Sequence, residues 1–344
     1  MTTPLITVVG GLYQEVCMRP GWREVYGSAG RAASAIAAAG GSASLVGYAD
    51  PRAREILSSR AALEGFQLNL VASDTATTFS YTHGLATPSI STPATNCAPL
   101  VIGADYVIRF GMLEADAIVK ARYAVYDPQN VSDPVHFAHN GSTAEHLALV
   151  LNRYEAARLS NIEGSPLEMA EALAACTNAQ VVIIKLGPQG ALVLENGIAT
   201  SIPAFRTEKV WKIGSGDTFV ASFACRWMAG DAASSAAMYA SKATAFYCEH
   251  RGFPTATQVA AYSCAPVRMS ERCIGGYRPK VYLAGPFFSL AQLWMVEEAR
   301  SQLDALGLDV FSPYHDVGHA SAADVASKDL AAIDNSDVLF AIAD

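Results

Sequence analysis

The run Gly214-Ser215-Gly216-Asp217 places a carboxylate in a turn whose two glycines leave backbone N–H groups unobstructed. Phe219, Val220, Phe223, Ala224 and Trp227 then recur at helical spacing, and Gly230 stands where a helix would stop. The turn therefore opens a helix whose first amides and positive dipole end form an anion site. An aspartate there is placed to take a proton from a substrate hydroxyl while the amides stabilise a phosphoryl group in transfer. The same position also suits a helix cap, the commoner role of an Asp at a helix start.

Three further segments carry polar groups at the ends of apolar runs. Val181 to Leu186 leads into Gly187-Pro188-Gln189-Gly190, Val125-Tyr126 leads into Asp127-Pro128-Gln129-Asn130, and Asn152 and Glu155 stand three apart. That spacing predicts one helical face, which on its own also describes an ordinary solvated surface. A G-x-x-x-x-G-K-[ST] phosphate loop is absent, and so are the H-R-D and D-F-G pair of protein kinases.

Taken in order, D-P, N-x-x-E, K-L-G-x-x-G and G-S-G-D-T-F resemble the PfkB, or ribokinase-like, family of carbohydrate and nucleoside kinases over about 4–260. The resemblance implies an α/β three-layer sandwich with a small β-lid. It implies ATP bound near Lys185, Gly187 and Gly190, and an anion hole at Gly214, Ser215 and Gly216 beside the base Asp217. Asn152 and Glu155 would arrange Mg²⁺ and its waters, Glu155 acting indirectly, and a monovalent cation is a further candidate. Glu15, Gly27, Arg31 and Tyr81 would border the acceptor, a sugar or nucleoside. Exposed lid strands in such proteins often pair, which implies a homodimer.

The chain departs from the family at the acceptor. The usual lid aspartate is matched near Gln14-Glu15, the asparagine of the early glycine motif by Ala32, and the Asp-Thr before the anion hole by Trp211-Lys212. These changes put an ordinary ribose or fructose specificity in question. Arg31 reads either as surface charge or as a receptor for an anionic acceptor.

The elements that must hold these residues follow from the pattern. Ile6–Val9, Ser44–Gly47, Val107–Phe110, Tyr123–Tyr126 and Val181–Leu186 read as strands. Gly30–Ala39, Ser142–Leu151 and Pro166–Cys176 read as helices between them, a mostly parallel sheet covered on both faces. Lid strands are expected near 11–18 and 75–95. Asn196-Gly197 between two strand-like runs predicts a two-residue hairpin.

With 344 residues, 51% of them hydrophobic, the chain can fill a domain of 1–262 and a smaller one of 280–344, joined by a linker over 263–279. A net charge of -8 with no basic block argues against nucleic acid as a partner. No apolar run is long enough for a membrane span and none of the first residues resembles a leader. Seven scattered cysteines without a C-x-x-C pair predict free, mostly buried thiols in a reducing cytoplasm.

The segment 279–344 resembles the opening of nucleoside 2-deoxyribosyltransferase-like proteins through Lys280 to Phe288, Phe311-Ser312-Pro313-Tyr314-His315 and the run after Asp337. That implies a partial Rossmann-like α/β segment with Tyr282, Gly285 and Asp329 in a sugar pocket. No glutamate stands where that family has its catalytic one, so the segment as given is expected to be inactive. It either continues in the natural protein or serves packing and association. His315 and His319 lie four apart, a metal-ligand spacing, but Pro313 and Gly318 favour a loop. Two other readings stand beside the kinase: an N-glycosidic transferase or hydrolase with an accessory kinase domain, and a non-catalytic nucleotide or sugar sensor.

Overall fold

The computed structural model describes residues 4–93, 97–130, 133–274, 277–318 and 321–343. The chain divides into two compact units between Val267 and Arg268. The expected boundary at 262 moves because Phe205 bridges to Pro266 and Val267 N–H donates to Ala204 O, tying these residues to the first unit.

In the first unit the strands are β1 (Leu5–Val9), β2 (Gln14–Arg19), β3 (Trp22–Val25), β4 (Ser42–Ala49), β5 (Gln67–Ala72), β6 (Thr78–His83) and β7 (Ser89–Ser91). They continue as β8 (Leu100–Phe110), β9 (Ala117–Asp127), β10 (Thr143–Asn152), β11 (Val181–Lys185), β12 (Ala191–Glu195) and β13 (Ile198–Ile202). The helices are α1 (Gly27–Ala38), α2 (Pro51–Glu64), α3 (Arg153–Ser160), α4 (Pro166–Thr177), α5 (Ser215–Trp227), α6 (Ala233–His250) and α7 (Ala256–Ala261).

One sheet runs in the order β13-β12-β11-β10-β9-β8-β1-β4-β5, parallel except where β12 pairs with β11 and β13. Successive residues feed opposite faces, as a strand period of two demands. Ile108, Val125, Val150 and Ile183 pack with α1, α2, α5 and α6, whereas Val107, Ala124, Leu149 and Val182 pack with α3 and α4. The result is a three-layer α/β architecture, the one expected from the sequence. A second sheet, β3-β2-β6-β7, forms the small lid. The Asn-Gly turn falls between β12 and β13, with both residues at positive φ.

One element differs in type. Ser142–Leu151, expected as a helix, is the buried strand β10. Leu147, Leu149 and Leu151 join one core and Ala148 and Val150 the other, so the run Leu147–Leu151 is apolar at every position, as interior parallel strands require. An apolar run of that kind has no period that separates helix from strand.

The cysteines also differ from expectation. All seven are free, but Cys17 alone is fully buried and Cys176 is exposed. Among the described residues no helix is long and apolar enough to cross a membrane.

The second unit holds a parallel sheet of β14 (Lys280–Ala284) flanked by β15 (Asp309–Phe311) and β16 (Val338–Ala341). Its helices are α8 (Glu271–Ile274), α9 (Leu290–Ala305), α10 (Pro313–Asp316) and α11 (Ala322–Asp334). Val281, Leu283, Val296 and Leu303 form its small core.

Candidate active site

The glycine-rich turn opens α5. Gly214 takes a left-handed conformation (φ 78°), and its carbonyl accepts from Thr218 N at 3.1 Å and Thr218 Oγ1 at 2.9 Å. A side chain at 214 would be strained in that conformation. Asp217 lies in the first turn, 7% exposed, and makes no cap bond to its own helix. Its carboxylate instead accepts from Gln129 Nε2 at 2.9 Å through Oδ1 and from Arg31 Nη1 at 2.9 Å through Oδ2. The N-cap position of α5 belongs to Gly214 and not to Asp217, and the carboxylate lines the space between the sheet and the lid.

Arg31 is neither surface charge nor an open receptor. It is 1% exposed and joins the lid to α5. Nη1 donates to Glu15 Oε1 at 3.1 Å as well as to Asp217, and Nη2 donates to Glu15 Oε2. Fork-like pairing with a carboxylate suits the planar guanidinium. Burial pushes the Glu15 carboxyl up from its ordinary range, and the Arg31 charge opposes that shift. The Tyr81 phenol, close by on β6, is raised by burial and by the charge of Glu15. Gly27 opens α1, and Ala32, in place of the family amide, is fully buried among apolar neighbours.

A second cluster forms at the carboxyl ends of adjacent parallel strands, where α/β sheets place ligand sites. Asp127 ends β9, Asn152 ends β10 and Lys185 ends β11, with Asn152 and Lys185 paired in register. Lys185 Nζ lies 2.6 Å from Asp127 Oδ2. Asn152 and Glu155 do not share a helical face. Asn152 caps α3, accepting from Tyr154 N at 2.9 Å and Glu155 N at 3.0 Å, while Glu155 Oε2 accepts from Asn152 N at 2.8 Å.

The surface reading fails for Glu155, which is 2% exposed. Its carboxyl is pushed up to about 7 by burial and then by Asp127, against the pull of Lys185. Two buried carboxylates in mutual repulsion suit a hard divalent cation. Among the described residues no group of three or more His, Cys, Asp or Glu is poised to enclose a metal.

Gly187 and Gly190 close the turn after β11, where Leu186 N donates to Gly190 O at 2.8 Å. A β-carbon on Gly190 would lie 2.0 Å from Ile202 O, so only glycine lets the turn close on β13. A β-carbon on Gly216 would lie 3.6 Å from Lys185 Nζ, which brings the Lys185 cluster to the first turn of α5. Free amides, a lysine and glycine turns are the donor set a nucleoside triphosphate needs.

Between the lid and the sheet lies a cavity of about 340 Å³ lined by Tyr13, Phe79, Tyr81, Gln129, Arg31 and Asp217, among others. Tyr13 and Phe79 stack with centroids 4.9 Å apart. Residue reading missed several of these groups. Gln129 was visible only as one polar residue after an apolar strand. Arg109, buried inside the run Val107–Phe110, gave no signal, yet it donates to Phe137 O, Ser142 Oγ and Asp116 Oδ1 at the far wall.

In the second unit Tyr282 stacks on Phe311, and its phenol is raised by burial and then by the charge of Asp329. Gly285 is not brought to them as a pocket residue. A β-carbon there would meet Val296 and Ile342 at 3.0 and 3.2 Å, the contact of a packing glycine. His315 sits in the short helix α10 rather than a loop, its Nδ1 3.0 Å from Ser312 Oγ. His319 lies outside the described residues.

Residues 128–258 match the family model described as pfkB family carbohydrate kinase, and the chain thus carries a kinase-family segment over β10, β11 and α5. The match ends before the second unit. The chain is 33% identical over 78 residues to 2-dehydro-3-deoxygalactonokinase of Haloferax volcanii, covering 23% of this chain and 24% of that relative. It thus spans about a quarter of that relative's length. In fold it resembles a fructokinase from Vibrio cholerae bound to fructose, ADP and calcium, with TM-score 0.61 and 13% identity over 76% of this chain and 99% of that one. An Arabidopsis thaliana ribokinase complexed with ribose and ATP gives TM-score 0.57 and 17% identity over 76% of this chain and all (100%) of that one.

Proposed function

We propose that this pfkB-type chain is an ATP-dependent phosphotransferase acting on an alcohol group of a sugar or nucleoside. The observation that carries the reading is Asp217. It stands in the amide-rich first turn of α5, makes no cap bond, and is held toward the cavity by Arg31 and Gln129. A carboxylate so oriented is suited to take the proton of an acceptor hydroxyl as that oxygen bonds to phosphorus.

ATP would supply the γ-phosphoryl group, and Mg²⁺ bound with it would offset the negative charge of the phosphates. The amides of Gly216 and Asp217, which lack intrahelical acceptors at a helix start, face the charge that builds during transfer. Lys185 adds a positive charge to that turn, and its partner Asp127 fixes its position. Glu155 and Asp127 are the carboxylates suited to hold the hydrated metal, and Asn152 orients Glu155 through the capping box. The stacked Tyr13 and Phe79, with Tyr81, give the lid a face fitted to a sugar ring or a base. Fructose and ribose, the sugars bound in the fructokinase and ribokinase structures that the fold resembles, are candidate acceptors.

Self-association through the lid belongs to the same reading, since Met18 and Ile90 on its strands are 65% and 50% exposed.

The test is acceptor-dependent ADP formation across a panel of sugars, sugar acids and nucleosides, with Asp217→Asn assayed alongside. Turnover in the parent and its collapse in the variant support the reading. Acceptor binding without turnover would favour a sensor.

A further inference from the structure

We propose that the acceptor of this site carries no negative charge, and that Glu15 is the residue that excludes anions. The inference rests on the kinase reading for the word acceptor, but not for the charge of the cavity.

Arg31 is the guanidinium next to Asp217, and its charge is already taken. Nη1 and Nη2 are both engaged by carboxylates, Glu15 holding both of them and Asp217 holding Nη1 as well. Nε has no hydrogen-bond partner, but it is buried beside Gly214, where a β-carbon would approach it to 1.9 Å. The outer edge of the fork is held by Glu15 and Asp217, and the inner edge is closed to a carboxylate or phosphate of the ligand by its burial. With both carboxylates ionised the group of three carries two negative charges and one positive, so an anion entering beside Asp217 meets net repulsion in a poorly screened site.

The far wall does not reverse the sign. Arg109 also lines the cavity, but it is 1% exposed and spends Nη2 on Asp116 and Nη1 on Phe137 O and Ser142 Oγ. His139 there turns Nε2 to Asp116 Oδ2 at 3.0 Å, and Asp133 adds a further carboxylate. What the cavity offers a ligand is therefore carboxylate oxygens, which accept from hydroxyls, and the aromatic face of Tyr13, Phe79 and Tyr81. Hydroxyl donors on an uncharged ring match that set.

The lid residue Glu15 decides the matter. If its charge were removed, Arg31 would be balanced by Asp217 alone and its Nη2 would be open to a new anion. Glu15→Gln keeps the size and the hydrogen-bonding oxygen while removing that charge.

The experiment compares matched pairs: a hexose with its 6-phosphate, an aldose with its aldonate, and a nucleoside with its 5′-monophosphate. Binding is read by calorimetry on the full chain with a non-hydrolysable ATP analogue, and turnover by ADP formation. At least one neutral member should bind, roughly tenfold or more tighter than its anionic counterpart, and Glu15→Gln should shrink that ratio by about tenfold. An anionic member that binds as tightly as its neutral partner, or a panel in which no neutral member binds, overturns the proposal. So does a folded Glu15→Gln protein with an unchanged ratio. Should that variant not fold, the ratio measured on the parent decides. Charge-selective binding without ADP formation would leave this inference standing and remove the kinase reading.

Discussion

A β-carbon on Gly214 would lie 1.9 Å from Arg31 Nε, so the guanidinium can bridge Glu15 and Asp217 only while residue 214 is glycine. Gly214→Ala therefore has two effects. Its left-handed backbone becomes strained by about 1–2 kcal/mol, and Arg31 must leave the position that orients Asp217. Gly216→Ala is the control, because a β-carbon there meets only Lys185 Nζ at 3.6 Å and alanine favours the helix. We expect a lowered melting temperature and collapsed turnover for Gly214→Ala. Gly216→Ala should melt at or above the parent and show its defect in kinetics alone. Equal melting temperatures for the two would remove the steric argument.

Asp217→Asn retains the shape of the side chain and its contact with Gln129 but cannot accept a proton. kcat should fall by about 10²–10⁴ while the KM for ATP changes little. A variant with parental kcat would mean that Asp217 serves only as a counter-charge to Arg31.

Part of this site was legible in the sequence because its signals were local. Gly214 to Asp217 opens a helix and Asn196-Gly197 closes a hairpin by backbone preferences that need no distant partner. The role of Arg31 was not legible. Its partners Glu15 and Asp217 lie 16 and 186 residues away, and only the fold brings a lid strand and α5 to the same guanidinium. β10 was misread for a related reason. Its two faces fill two separate cores, so the sequence loses the alternation that marks a half-exposed strand. Asn152 and Glu155 were found from spacing, but their joint role is a cap at a strand–helix junction, a geometry that appears once β10 is a strand.

Glu155 gives a pH dependence whose sign follows from its raised carboxyl. The folded value of about 7 stands above the ordinary 4.5, with burial the largest cause and Asp127 the next. The folded state thus favours the protonated form, so this contribution to stability is complete below pH 4.5 and is lost as pH rises through about 7. Glu15 and Glu114, both raised, push in the same direction. The difference between the parent and Glu155→Gln isolates one group, because glutamine can still close the capping box. Without metal, thermal melts should show the parent losing stability relative to Glu155→Gln over that interval. A constant difference across it would contradict the buried, protonated state of Glu155.

Trp211 ties the lid to the helical layer, and its loss should separate acceptor binding from ATP binding. The ring is 3% exposed and meets Trp22 of β3 edge-on at 5.3 Å, with the Arg251 guanidinium 4.5 Å from its centre. A β-carbon on Gly84, just after β6, would lie 2.8 Å from the indole, so the turn after the lid strand rests flat on it. The backbone adds two ties, Trp211 N to Cys248 O at 2.9 Å and Lys212 N to Gly84 O at 3.2 Å. Trp211→Ala removes the ring from between these elements and should destabilise the protein by about 3–5 kcal/mol. Asp127, Glu155 and Lys185, the proposed ATP site, lie at the strand ends, and among the described residues none of them pairs with Trp211. The KM for the acceptor should therefore rise while the KM for ATP holds, and Trp211→Phe should recover most of both stability and acceptor affinity. Equal increases in the two KM values would mean that the lid does not act on the acceptor alone.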